Sequence, residues 1–163
     1  MQQEIIDIKR KALKINLNPK IYGTFAEIGA GQEVSRAFFN VGAASGTVAK
    51  TISAYDMTFS DEIYGAEESG RYVSQNRLLK MLDHEYALLI DRLKGEKHKE
   101  KTFFAFANTV TTLNYTRTND PHGWVGLRFQ SEPGEAPNEI YFHVRLLDTD
   151  VQMQQRVLGM IGV

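Results

Sequence analysis

The feature that most constrains this chain is a change of hydrophobic period about two-thirds of the way along it. Behind Ser74, a good N-cap, the residues Leu78, Leu82, Tyr86, Leu89 and Leu93 recur at helical spacing, and Gly95 follows the last of them. From Phe103 onward the pattern switches to runs of β-branched and aromatic residues bounded by turn signals. Phe103 to Tyr115, Trp124 to Gln130 and Glu139 to Leu147 read as three strands, and their short connections imply an antiparallel meander. A helix period followed by a strand period excludes both an all-helical bundle and a pure β-barrel.

The first half reads as largely helical. Ile5, Ile8, Ala12 and Ile15 share one face of an opening amphipathic helix that Asn16, Asn18 and Pro19 stop. A second helix is expected over Gly31 to Asn40, and a turn followed by a short helix over Gly42 to Asp56. Met57 to Tyr72 is polar and reads as an exposed connection, and Asp148 or Thr149 caps a final helix carrying Val151, Val157, Leu158 and Ile161. The expected fold class is therefore α+β: a helical N-terminal half, a three-stranded antiparallel β-meander and a C-terminal helix, in a single domain over residues 1–163.

Composition excludes several functions. With 19 Lys and Arg against 20 Asp and Glu, the net charge of -1 lacks the positive field of a dedicated nucleic-acid binder. The absence of cysteine removes disulfides, thiol catalysis and Cys-based zinc sites, and the four histidines are too scattered to suggest a metal cage. Met1 to Arg10 has no uninterrupted apolar core, and no stretch approaches the roughly 20 apolar residues of a membrane span. The expectation is a cytoplasmic protein with no membrane partner. The apolar ending VLGMIGV, Val157 to Val163, suggests the N-terminal piece of a longer protein, with the downstream part of its own chain as a partner.

Three stretches carry a resemblance: IYGTFAEIGAGQEVSRAFF (Ile21 to Phe39), GAASGTVAKTISAYDMTFSDEIYG (Gly42 to Gly65) and FANTVTTLNYTRTNDPHGWVGLRFQ (Phe106 to Gln130). Together they resemble the N-terminal part of an uncharacterised family of larger bacterial proteins, inconsistently labelled nicotinate-nucleotide adenylyltransferase or outer-membrane receptor. The residues support neither label. An HxGH-type phosphate site is absent, since His122-Gly123 is not followed by a second His, and the serial alternating strands of an outer-membrane barrel are missing. The resemblance implies a bacterial setting and identifies no reaction.

Candidate chemistry concentrates in three places. Glu27-Ile28-Gly29-Ala30-Gly31 is similar to the acidic-x-Gly-x-Gly turn of S-adenosylmethionine-dependent methyltransferases, in which glycines let backbone N–H groups approach a ligand at a helix start, although Glu33 stands where a third glycine is expected. Gly42 to Thr47 offers a possible anion nest with Lys50 beyond it; the alternative is a tight turn capped by Ser45 or Thr47. Brought together, the two glycine segments would form a cleft holding Lys50 and Glu27. The third place follows from strand parity. Val125, Leu127 and Phe129 share one side of their strand, and Ile140, Phe142, Val144 and Leu146 one side of the next, so these are the expected core sides. Trp124, Arg128 and Gln130 then gather beside Tyr141, His143 and Arg145 in a cationic, aromatic patch suited to phosphate or a nucleobase.

The alternative for that patch is cover by another helix or a downstream segment, with the arginines paired to acids. Asp83-His84-Glu85 reads as a solvated helix face. Asp120 and Glu139 could pose as the acids of a PD-(D/E)xK nuclease, but Tyr141 stands where that chemistry needs Lys. Two functions follow. One is binding of a nucleotide or phosphorylated metabolite through Glu27, Gly29, Gly31, Lys50, Trp124, Arg128, Tyr141, His143 and Arg145. The other is a structural or oligomerising domain, a homo-oligomer included.

Overall fold

The computed structural model describes residues 7–163, so Ile5 of the opening helix lies outside the described residues. Ten regular elements follow in order: α1 (Ile8–Asn16), β1 (Ile21–Ile28), α2 (Glu33–Phe39), β2 (Val48–Ala54), α3 (Met57–Tyr64), α4 (Gln75–Arg92), β3 (Thr102–Thr111), β4 (His122–Phe129), β5 (Asn138–Arg145) and α5 (Val151–Gly162). They form one five-stranded mixed sheet of order β2-β1-β3-β4-β5. β1 is parallel to both β2 and β3, while β4 and β5 continue antiparallel.

The expected three-stranded meander is therefore corrected. β3, β4 and β5 do run antiparallel in sequence, but they are the outer part of a larger sheet, and the first half of the chain supplies two strands rather than helices alone. The Gly42 to Asp56 segment forms β2 instead of a helix, and the supposed polar connection after Met57 contains α3. Capping of α5 falls to Asp150, whose side chain accepts from the Met153 amide at 3.0 Å, and not to Asp148 or Thr149. The physical reason β1 escapes the reading is its burial: a parallel strand with helices on both faces is apolar on both sides and loses the two-residue alternation. Its last six residues, Gly23 to Ile28, are all buried.

Helices cover both faces. On one, α4 packs Leu78, Met81, Leu82 and Leu89 against Ala26, Ala105 and Ala107, with Tyr64 of α3 alongside. The small strand residues let this long helix approach closely; a Cβ on Gly126 would lie 2.9 Å from the Leu82 side chain. On the other face, Ala12, Val34, Phe38 and Leu158 from α1, α2 and α5 meet Phe25, Phe104, Phe106 and Val110. There Phe25 is the hub of an aromatic cluster, its ring centroid 5.1 Å from Phe38, 5.3 Å from Phe104 and 5.9 Å from Phe106. Ser74 caps α4 as expected, accepting from the Arg77 amide at 3.1 Å. Among the described residues no helix is long and apolar enough to cross a membrane.

Candidate functional site

β1 has a parallel neighbour on each side, and the chain following it crosses the α2 face to reach β2 and the α4 face to reach β3. The carboxyl ends of β1 and β3 are thus a topological switch point, the place where open α/β sheets form ligand crevices. The Gly29–Gly31 turn stands there. Both glycines have positive φ, 90° at Gly29 and 87° at Gly31.

Glu27 does not point into an open cleft. It is 1% exposed and accepts from the Val34 amide at 3.1 Å, the Ser35 amide at 3.1 Å, Ser35 Oγ at 3.0 Å and Asn108 Nδ2 at 3.3 Å. Gln32 gives α2 no side-chain cap, so the Glu27 carboxylate satisfies the first-turn amides from the neighbouring strand. A ligand anion has no claim on amides already used in this way. Burial pushes the Glu27 carboxyl above its ordinary value of 4.5, against the downward pull of the Ser35, Val34 and Asn108 hydrogen bonds. A raised folded-state value favours the protonated form, so the stabilisation linked to this group is complete below about pH 4.5 and is lost as pH rises through the raised value. Urea unfolding between pH 4 and 7 should therefore show a shallower loss of stability with rising pH in Glu27→Gln than in the wild type.

Lys50 lies on the opposite face of the sheet, beneath α4. Its Nζ pairs with Glu85, whose side chain is 1% exposed, and Tyr64 Oη donates to Glu85 Oε1 at 2.9 Å. Burial, then the Glu85 charge, pushes the Tyr64 phenol far up, so it remains a donor. The proposed cleft containing Glu27 and Lys50 does not exist, because alternate sides of the sheet separate them. Nor do the two glycine segments meet. The Gly42 to Thr47 turn contains a single 3₁₀ turn without the expected Ser45 or Thr47 side-chain cap, and it delivers the chain to the amino end of β2. Gly29 is at the carboxyl end of the adjoining parallel strand.

The reading of Asp83-His84-Glu85 as a solvated face missed Glu85. A signal was available: Arg77, Met81 and Glu85 are spaced by four and share the buried stripe of α4. Arg77 is likewise fully buried.

Parity places the second-half residues as expected. β4 and β5 pair Trp124 with His143, Gly126 with Tyr141, Arg128 with Glu139 and His122 with Arg145, all on the α4 side. That side is partly covered. Arg128 is held by Asp83 of α4 and by Glu139, with its Nε 2.7 Å from Glu139 Oε2, and Tyr141 Oη accepts from Gln75 Nε2 at 3.2 Å. The other side is covered by α5 and its neighbours at Val125 and Leu146, but Ile140 and Phe142, expected in the core, are 56% and 41% exposed because β5 is an edge strand.

The rest of the patch is open at the switch-point end. His122 Nδ1 and His143 Nε2 share a hydrogen bond of 2.9 Å, and the Trp124 ring stands 5.1 Å from that of His143. Burial and the neighbouring His143 hold the His122 imidazole below its usual value. Arg145 pairs with Asp120 at 2.6 Å, and both side chains are mostly exposed. His122 also lines a cavity of about 320 Å³ with Arg71, Tyr72 and Thr111 at the carboxyl end of β3. Among the described residues no group of three or more His, Asp or Glu is placed to hold a metal ion.

Comparison with known proteins places this arrangement in a fold. No protein-family model matches the sequence, and no curated protein does. The competence/damage-inducible protein CihA of Agrobacterium tumefaciens superposes with a TM-score of 0.67 at 17% identity, over 99% of this chain and 94% of that one. A competence-damaged protein (CinA) superfamily protein of Enterobacter cloacae gives 0.65 at 14% identity, covering 99% and 91% of the two chains. A competence-damaged protein (CinA) superfamily protein of Escherichia coli gives 0.62 at 11% identity, covering 99% and 90%. Identities this low carry the fold alone: the chain has the architecture seen in these bacterial CinA-type proteins over nearly its whole described length.

Proposed function

We propose that this domain binds a small phosphorylated metabolite or nucleotide at the carboxyl end of β1 and β3. The observation that carries the reading is the position of Trp124, His143 and Arg145 at the same end of the sheet as the positive-φ turn Gly29–Gly31, beside the switch point. Arg145 supplies charge and Trp124 and His143 supply faces for stacking. The Asp120 partner of Arg145 is exposed, and exposed ion pairs are worth little, so an incoming phosphate displaces it at small cost. Glu27, Lys50 and Arg128 have internal partners and leave the ligand set. Their roles become structural.

Thermal-shift titration with inorganic phosphate, nucleoside monophosphates and sugar phosphates tests the reading. Arg145→Ala is expected to weaken binding by about 1.5 to 3 kcal/mol, the range for charged hydrogen bonds, with little change in the melting temperature of the free protein. Arg128→Ala should leave affinity unchanged. Failure of every anion to stabilise the wild type would favour the second reading, a structural or oligomerising domain, which the exposed Ile140 and Phe142 and the internal pairing of Arg128 support.

A further inference from the structure

Independently of any ligand, we infer that β5 is a self-complementary edge through which two copies of this chain join their sheets antiparallel about a two-fold axis at Phe142. β5 is the last strand of the sheet, and its eight residues, NEIYFHVR, are exposed almost throughout. Proteins blunt such an edge with charged side chains, Lys above all, with Pro, a bulge or a covering element, and β5 carries only one charge of each sign, Glu139 and Arg145. β5 contains neither Pro nor Lys, and its pairing to β4 runs without a register shift.

The register follows from the backbone. The Leu146 amide donates to the Pro121 carbonyl across β4. By two-residue alternation, Val144, Phe142 and Ile140 also turn their main-chain groups toward β4, and those of Glu139, Tyr141, His143 and Arg145 turn outward. An antiparallel partner must meet outward residues with outward residues, so a two-fold axis has to pass through a residue rather than between two.

Among the possible centres, Phe142 alone matches charge. It sets Glu139 opposite Arg145 of the partner subunit, Tyr141 opposite His143 of the partner subunit, and Ile140 opposite Val144 of the partner subunit. Centring on Tyr141 instead puts Arg145 opposite Pro137, which has no amide to donate, and centring on His143 stacks His143 on itself and leaves Glu139 opposite an exposed leucine, Leu147. With Phe142 at the axis, about eight main-chain hydrogen bonds close the seam. Arg128, Glu139 and the partner subunit's Arg145 then alternate in sign along one cross-strand row, and the exposed side chains of Ile140 and Phe142 become one apolar stripe shared by two protomers.

The chain has no cysteine, so a single introduced one reports the register. At the axis Phe142 faces itself as a non-hydrogen-bonded pair, with Cα atoms about 4.5 Å apart, inside the range a disulfide bridges. Phe142→Cys should form a covalent dimer within minutes of mild oxidation. Ile140→Cys, whose two copies would lie about 14 Å apart along the strands, should not. Sedimentation of the wild type should give the dimer mass, and Tyr141→Pro, which removes an outward amide, should shift it to monomer while circular dichroism stays native. A monomeric wild type at all concentrations up to about 0.5 mM, or cross-linking of Ile140→Cys as fast as Phe142→Cys, would overturn the inference. Should Tyr141→Pro fail to fold, the cysteine pair still decides.

Discussion

Gly29→Ala is expected to destabilise the domain by about 3 kcal/mol or more, lowering the melting temperature by roughly 6 to 12 °C for a chain of this size. Two independent penalties add. The φ of 90° costs an L-residue about 1 to 2 kcal/mol. A Cβ there would also lie 2.1 Å from the Val110 carbonyl oxygen, a main-chain atom that can retreat only by separating β1 from β3. Gly31→Ala carries the first penalty alone, since its nearest neighbour would be a flexible Gln155 side chain at 3.9 Å, so it should cost about 1 to 2 kcal/mol. Ala30→Gly should cost less than 1 kcal/mol. Urea denaturation of the three variants checks the order. Equal effects at all three positions would show that the turn can relax, and the switch point would then lack the rigid backbone on which the ligand reading depends.

Arg77→Ala should cost about 3 to 5 kcal/mol, because it takes a counter-charge away from the buried Glu67 and from Asp61 and leaves the Ser60 carbonyl without its donor. The guanidinium is fully buried where α3 and the segment after it meet α4. Its Nη1 donates to the Ser60 carbonyl at 3.2 Å, Nη2 pairs with Asp61, and Nε lies 3.4 Å from Glu67, a side chain only 4% exposed. Lys80, 3.2 Å from the same Glu67 oxygen, cannot replace it, since it reaches neither Asp61 nor the Ser60 carbonyl. Restoring neutrality should recover part of the loss, so the double variant Arg77→Met with Glu67→Gln is expected to be more stable than Arg77→Ala. If Arg77→Ala unfolded at the wild-type urea concentration, the buried ion group would be irrelevant to stability. Loss of the α3 docking should also be visible as faster hydrogen exchange over residues 57–67.

Local pattern by itself determined those elements whose signals are complete within a short stretch. The stripe Leu78, Leu82, Tyr86 and Leu89 behind Ser74 specifies α4, the apolar runs after Phe103 specify β3 to β5, and the glycines of the Gly29–Gly31 turn announce positive φ. Parity also put Trp124, Arg128, Tyr141, His143 and Arg145 on one face, because the side-chain period of a strand is a local property. Only the tertiary structure decided the rest. β1 and β2 pair with strands distant in sequence, and burial on both faces erases the alternation that would reveal β1, so their membership in the sheet depends on contacts no window contains. The same holds for charge. Whether Lys50 and Arg128 are free or neutralised turns on Glu85 and Asp83, which a long helix carries to them from the opposite side of the α4 interface. Side-chain type sets what each residue can do, but its partner is set by packing, and packing is where this domain separates the cations it has used from those it leaves at the open end of the sheet.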